Sequence, residues 1–325
     1  MRLTAAEKAE VIRLVEGSDL SVRRTLAELG VHRSTFYAWY CRYAEDGVAG
    51  LVGKKRAARR YWNRIPPAMR QQVVNAALAD PERSPRELAW QLTDRTGHFL
   101  SESSVYRILK AADLITSPAF IVLQAADRFA HPTQQPNELW QTDFTYLKVV
   151  GWGWYYLSTV LDDYSRYILA WTLTTTMQAT DVMTTLDLAR AKTGVDQARV
   201  VHRPRLLSDN GPCYVSSALG AYLTQHGMTH TRGAPYHPMT QGKIERYHRS
   251  MKNVVKLDVY YSPWELERAI GRFVEHYNHR RLHESLQNVT PADVYEGRQA
   301  AILDRRARIK RETLARRKKE YLHAA

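Results

Sequence analysis

Cysteine is nearly absent: Cys41 and Cys213 are the only two in 325 residues. They stand far apart and in no C-x-x-C pair, so neither a disulfide framework nor a zinc module is supported, and a reducing compartment is expected. Long hydrophobic runs are missing as well. The opening MRLTAAEKAE has no continuous apolar stretch of the secretory kind, and nothing later approaches the roughly 18 consecutive apolar residues of a membrane span. The expectation is a soluble, cytoplasmic protein without a membrane partner. Acidic charge is scarce too, since 33 Asp and Glu stand against 47 Lys and Arg, leaving a net charge of +14 and a pI of about 9.7. That balance attracts a large anionic partner, of which nucleic acid is the commonest, although ribosomal and membrane-surface proteins share it. With 44% hydrophobic residues the chain can bury at least one full core, and its length predicts two or more domains.

Residues 1–45 read as three helices. Thr4 followed by Glu7 is a capping-box start for a helix to Glu16 carrying Ala9, Ile12 and Val15 on one face. A second helix starts near Ser21, carries Val22, Leu26 and Leu29 on one face, and ends at Gly30. The third runs from Arg33 to about Tyr43, with Phe36, Trp39 and Tyr40 inward. His32, Arg33, Ser34, Thr35 and Tyr37 stay outside near its amino end, the end that a helix-turn-helix points into the major groove. A plain helical bundle with a polar surface is the alternative. Residues 46–65 form a basic linker in which Lys54, Lys55, Arg56, Arg59 and Arg60 either stay solvated or contact the DNA backbone or minor groove.

Residues 66–116 read as a second helix-turn-helix. Ser84, Pro85 and Glu87 open one helix, Gly97 ends it, and Ser101 starts the next, with Val105, Ile108 and Leu109 buried. Ser103, Ser104 and Arg107 are its candidate DNA contacts. The Pro-containing segment 117–136 marks a linker and the main domain boundary.

From 137 to 297 the composition shifts to α/β. Leu139–Val150, Trp152–Leu161 and Tyr167–Thr174 are rich in aromatic and β-branched residues, which predicts three consecutive antiparallel strands with a polar turn at Asp162, Asp163, Tyr164 and Ser165. Helix 179–192, strand 205–208, helix 216–225, strand 228–231 and helix 240–257 complete a mixed five-stranded sheet with flanking helices. The basic tail 298–325 reads as a helix contacting DNA or another subunit, or else as a disordered extension.

Three acids in this region carry the chemistry. Asp143 lies inside a strand between Trp140 and Phe144, where a charge is costly unless it reaches a metal or a solvated cleft. Asp209 directly follows the apolar Leu206-Leu207, and Glu245 sits on the helix that starts near Thr240. Transfer of phosphoryl groups between nucleic-acid strands calls for two divalent cations, and hard cations call for carboxylates. Spacing alone is weak, because triples of acids arise by chance in any chain with one acid in about ten positions.

The strings around these acids sharpen the reading. WQTDFTYL around Asp143, DDYSRYILAW from Asp162, SDNGPCY around Asp209, GAPYHPMTQGKIERYHRSMK around Glu245 and YNHRRLHESLQNVTPADVY from Tyr277 resemble the catalytic core of retroviral integrases and bacterial insertion-sequence transposases, the DDE family. Thirty-five residues separate Asp209 from Glu245, the interval that family shows. The resemblance implies a ribonuclease H-like core over 137–297 behind two all-α helix-turn-helix domains. It implies a DDE polynucleotidyl transferase that cleaves the ends of an insertion sequence and transfers them to target DNA. Two Mg²⁺ ions, with Mn²⁺ able to substitute, would be held by Asp143, Asp209 and Glu245, with Asp143 bridging. Partners would be terminal inverted repeats, target DNA and at least a second copy of the chain, the protein being nucleoid-associated when DNA-bound. The sequence departs from retroviral integrases in having no His, His, Cys, Cys zinc segment ahead of the core.

Gln241, Glu245, Arg249 and Lys252 recur at helical spacing, so they are expected on one face that DNA would cross. Arg249 and Lys252 would hold phosphates and Gln241 the strand end, against the alternative of a solvated stripe. His237 is a further candidate for contact with substrate, or for purely local hydrogen bonds, and Asn210 either orients the neighbouring Asp209 carboxylate or contacts DNA.

Overall fold

A computed structural model describes residues 3–52, 61–115, 133–196, 203–233 and 241–323. The chain divides into two compact units, Met1–Arg64 and Ile65–Ala325. Among the described residues no helix is long and apolar enough to cross a membrane.

The first unit holds α1 (Ala5–Glu16), α2 (Val22–Glu28), α3 (Arg33–Asp46) and α4 (Val48–Leu51). The capping box of Thr4 and Glu7 forms as the sequence predicts, and Ala9, Ile12 and Val15 are buried. Gly30 takes a φ of +63°, which turns the chain between α2 and α3 where a side chain would be strained. His32, Arg33, Ser34, Thr35 and Tyr37 are exposed along the start of α3. Three expectations need correction. Of the apolar face of α2 only Leu26 is buried, Val22 and Leu29 being exposed. Tyr40 does not point inward; it is exposed, with its ring stacked on the buried Phe36 at 5.7 Å. The fold also continues past residue 45, because α4 brings Leu51 into the core with Ile12, Leu26 and Phe36. That approach needs Gly50, where a Cβ would stand 2.1 Å from the Arg42 carbonyl oxygen. Lys54, Lys55, Arg56, Arg59 and Arg60 lie outside the described residues.

The second unit begins with α5 (Pro67–Ala79), α6 (Pro85–Thr96) and α7 (Glu102–Ala111) around Val73, Leu88, Leu92, Leu100, Val105 and Leu109. Ser84 and Glu87 cap α6 reciprocally, with Pro85 at its first position. Ser101 caps α7, and Ser103 and Arg107 are exposed. Ser104 is half-buried, its hydroxyl accepting from Ser101 at 2.8 Å.

A five-stranded sheet follows, ordered β3-β2-β1-β4-β5. Its strands are β1 (Leu139–Val149), β2 (Gly153–Asp162), β3 (Ile168–Thr174), β4 (Arg205–Ser208) and β5 (His230–Arg232). The first three form an antiparallel meander, and β4 and β5 add in parallel beside β1. The interleaved and following helices are α8 (Ala179–Thr193), α9 (Pro212–Val215), α10 (Ser217–Gln225), α11 (Gly242–Val255), α12 (Pro263–His279), α13 (Pro291–Tyr295) and α14 (Gln299–His323). Because side chains alternate along a strand, each face of the sheet has its own core. Leu147, Val149, Leu157 and Leu161 pack under α11 and α12, whereas Trp140, Val160 and Leu169 pack under α8 and α10.

The basic tail is helical, but one face of it is not free for DNA or a second subunit. Arg306, Ile309, Thr313 and Arg317 of α14 are buried. Arg306 donates to both oxygens of Asp94 on α6 at 3.0 and 2.6 Å and lies 4.7 Å over the Trp90 ring. Phe99 N donates to Thr313 Oγ1 at 3.0 Å. A positive run therefore hides a stripe in which Arg306 is paired with Asp94 and Arg317 donates to the Phe99 carbonyl, while Arg308, Arg311, Lys318 and Lys319 remain exposed.

Candidate active site

The parallel register of β1 and β4 pairs Trp140 with Leu206 and Gln141 with Leu207. Asp143 and Asp209 each stand two residues beyond that last pair, so two carboxylates emerge from adjacent strands at matching height. Asp209 is exposed, and its Oδ1 accepts from Gly211 N at 2.8 Å. Asp143 is half-buried, with Oδ1 accepting from Phe144 N at 2.9 Å. Burial, then Asp209 and further Asp143, pushes the Cys213 thiol up. Burial and the same two acids also raise Tyr214, whose ring lies 6.1 Å from Phe144. Both acids thus act on one patch, Cys213 and Tyr214 of α9.

Glu245 comes from α11 and lines a cavity of about 640 Å³ together with Asp143, Tyr146, His248, Arg249 and Lys252. Glu245 and Arg249 are exposed and Lys252 is half-buried. Burial and the neighbouring Lys256 push the Lys252 ammonium down, partly offset by Asp143. The helix presents this face because Ile244, Tyr247, Met251 and Val255 take the opposite one into the core.

Gln241 departs from expectation. It shares the helical spacing of Glu245 but precedes the first turn; it is buried, and its Nε2 donates to the Thr142 carbonyl at 3.4 Å. It therefore braces β1 instead of facing a strand end. Asn210 is exposed and donates from Nδ2 to the Gly233 carbonyl at 2.7 Å, joining the end of β4 to that of β5. His237 lies outside the described residues.

Two features escaped the sequence reading. His248 is buried, with Nδ1 3.4 Å from Asp143 Oδ2 and Nε2 3.3 Å from Thr159 Oγ1. Its position three residues after Glu245 was the available signal. The second is the acidic pair read as a turn. Asp162 and Asp163 are buried at 0% and 2% exposure. Asp162 accepts from Asn137 N, Ser165 N and Ser165 Oγ. Asp163 accepts from Gln141 Nε2 at 2.8 Å and from Lys243 Nζ at 2.6 Å, and Gln141 Oε1 accepts from Ile244 N at 3.1 Å. A buried network thus ties the strand of Asp143 to the first turn of the helix of Glu245.

The oxygen-only donor set of Asp143, Asp209 and Glu245 suits a hard divalent cation. Gly211 supports that fit, because a Cβ there would come within 3.0 Å of Asp209 Oδ1 and fill the space the carboxylate uses. The three acids are not drawn into a closed cluster. Among the described residues no three His, Cys, Asp or Glu side chains stand close enough to share an ion. Asp143 and Asp209 form the adjacent pair, and Glu245 lines one cavity with Asp143, a lining that does not include Asp209.

Comparison with known proteins gives a consistent picture. Residues 133–238 match the model of an integrase core domain, and residues 226–291 match a second integrase core domain model. Residues 2–52 and 35–109 each match a homeodomain-like domain. The chain is 28% identical over 202 residues to the transposase for insertion sequence element IS629 of Shigella sonnei, covering 60% of this chain and 64% of that protein. It is 27% identical over 160 residues to the transposase for insertion sequence element IS904 of Lactococcus lactis, covering 49% and 61% respectively. The matched region thus spans somewhat less than two thirds of these relatives. The fold is also similar to the HTLV-2 integrase catalytic core domain, solved in complex with magnesium. That likeness has a TM-score of 0.40 and 21% identity over 50% of this chain and 97% of the other.

Proposed function

We propose that this chain, which carries an integrase core domain behind homeodomain-like domains, is a DNA transposase that cleaves the ends of an insertion sequence and joins them to target DNA. The observation that carries the reading is the β1/β4 register, which sets Asp143 and Asp209 at matching height, with Glu245 and Asp143 lining one cavity.

In this reading Asp143, Asp209 and Glu245 would hold two Mg²⁺ or Mn²⁺ ions, Asp143 being the shared ligand. Bound there, the ions would activate the attacking water or 3'-hydroxyl and neutralise charge on the departing oxygen. The remaining work falls to the protein. Arg249 and Lys252 bind the phosphates that flank the scissile bond, His248 orients the Asp143 carboxylate, and the Asp163 network holds α11 against β1. Positioning and charge neutralisation suffice, because no covalent enzyme intermediate is required. The exposed residues at the start of α3, with Ser103, Ser104 and Arg107 of α7, recognise the element ends. Two ends must be held together, so the working form is a dimer or larger.

Labelled element ends incubated with a target plasmid and Mg²⁺ test this directly. Cleaved ends and joined products are expected from the wild type, and neither from Asp143→Asn, which should still bind DNA. Identical products from both proteins would sink the catalytic assignment, and cleavage without joining would leave a nuclease.

A further inference from the structure

The second helix-turn-helix falls in the same compact unit as the catalytic core, and α14 joins the two. Near its start, Ile302 and Leu303 pack against Leu286, Val289 and Val294 of the core. The stripe that begins at Ile302 runs on through Arg306, Ile309, Thr313 and Arg317, a helical spacing that keeps them on one face. That face lies along α6 and the turn after it. Arg306 donates to Asp94 of α6 at 2.6 Å and to the Asn288 carbonyl of the core at 2.7 Å, so one guanidinium spans both parts. Thr313 Oγ1 accepts from Phe99 N at 3.0 Å, and Arg317 donates to the Phe99 carbonyl at 2.9 Å. At the other end of α6, Arg86 donates to Glu102 at 3.2 Å and to Glu284 at 2.6 Å. Glu102 is the first residue of α7, and Glu284 belongs to the core segment after α12.

A body tied at three points that are not in line can neither slide nor swing. Helix α6 is tied near its start by Arg86, near its end by Asp94, and beyond Gly97, where the chain leaves the helix axis, by Phe99. The tie at Asp94 dominates. The Arg306 side chain is 5% exposed and meets both carboxylate oxygens, whereas Glu102 and Glu284 are exposed, and ion pairs in water contribute little. Ser103 and Arg107 of α7 stay exposed, so the reading face is free while its frame is held. We propose that α14 makes the second helix-turn-helix a ruler: the base pairs read by α7 lie at one fixed distance from the bond held at the acids, and Arg306 is the positioning residue that keeps it. One base pair spans about 3.4 Å of duplex, so play of that size in α7 moves the cut by a nucleotide. The ruler rests on the transposase reading and adds to it how the bond to be cut is chosen.

The test uses the full-length chain and two element-end duplexes, one plain and one with two extra base pairs between the segment that α7 protects and the terminus. Loss of protection in Arg107→Ala locates that segment, and products are read at single-nucleotide resolution. Wild type should cut the plain end at one position and carry the cut along with the insertion. Arg306→Ala should still bind the end, because Ser103 and Arg107 are untouched, but should spread its cuts by about one or two nucleotides to either side. Thr313→Val removes only the acceptor of Phe99 N with little change of shape. It should therefore fold even where circular dichroism shows that Arg306→Ala does not, and should spread the cuts to a lesser extent. A wild-type cut that stays at the terminus despite the insertion would overturn the ruler. So would folded variants that bind and cut at the wild-type position alone, since the strap would then not set the distance. Wild type that cuts neither duplex would refute the transposase reading as well, whereas wild type that cuts both at the terminus would refute the ruler alone.

Discussion

Replacing Asp163 with alanine would remove a carboxylate that is 2% exposed and accepts from Gln141, Lys243 and Thr133 at 2.8, 2.6 and 2.7 Å. Gln141 lies two residues before Asp143 and Lys243 two before Glu245, so this one group couples two elements of the site. The side chains of Lys243 and Asp163 are 11% and 3% exposed, which puts the pair in the buried class. Breaking such a pair from one side costs about 3–5 kcal/mol, because desolvation of the remaining charge is no longer offset. Even the lower figure makes local opening about a hundredfold more frequent. Hydrogen–deuterium exchange read by mass spectrometry should therefore speed up in peptides from β1 and the first turn of α11. Peptides from α6 should change little. Asp163→Asn keeps an acceptor for Gln141 and should lose less. Strand transfer should fall more than DNA binding, since α11 would hold Glu245 less firmly. Exchange within threefold of wild type in β1 and α11, or an equal acceleration in α6, would refute the argument that this network organises the site.

Gly211→Ala should spare the backbone, whose φ of −58° any residue adopts, but push Asp209 aside by a few tenths of an ångström. A loss of about tenfold in strand transfer, with an unchanged melting temperature, is expected for such a misplacement. The second unit should also weaken in acid. His98 is pushed down to about 4 by burial and then by Arg317 and Arg316, and His283 to about 3 by burial and then by Arg281, Arg166 and Arg246. A depressed histidine favours the fold while neutral, so this stability is complete above the ordinary value of 6.5 and is lost as pH falls towards 4 and then 3. Urea midpoints across that range should decline, and less steeply in His98→Gln; an equal slope would show that His98 does not contribute.

Local signals in the chain were legible and sufficient for many elements. The capping boxes at Thr4 and Ser84 and the left-handed turn at Gly30 are decided within a few residues, so the helices they bound appear as expected. Alternating aromatic and β-branched residues made β1, β2 and β3 readable for the same reason. Helix α12 carries an equally local start signal in Ser262, Pro263 and Glu265. The four-residue α4 was not readable, because a segment so short has no period of its own and exists through Leu51 in the core.

What the sequence by itself determined is the set of chemical groups and the elements that carry them: Asp143 on a strand, Asp209 after one and Glu245 on a helix, inside strings that resemble a known core. Only the tertiary structure decided which groups meet. The parallel pairing of β1 with β4 sets Asp143 beside Asp209, and the packing of α11 brings Glu245 and His248 to the cavity that Asp143 lines. The same packing buries Gln241 and makes the Asp162-Asp163 turn an internal anchor, and the packing of α14 on α6 buries Arg306. The physical reason is that a hydrogen bond or ion pair between distant segments leaves no periodic trace in the chain. A polar residue looks the same in sequence whether it faces water or a buried partner.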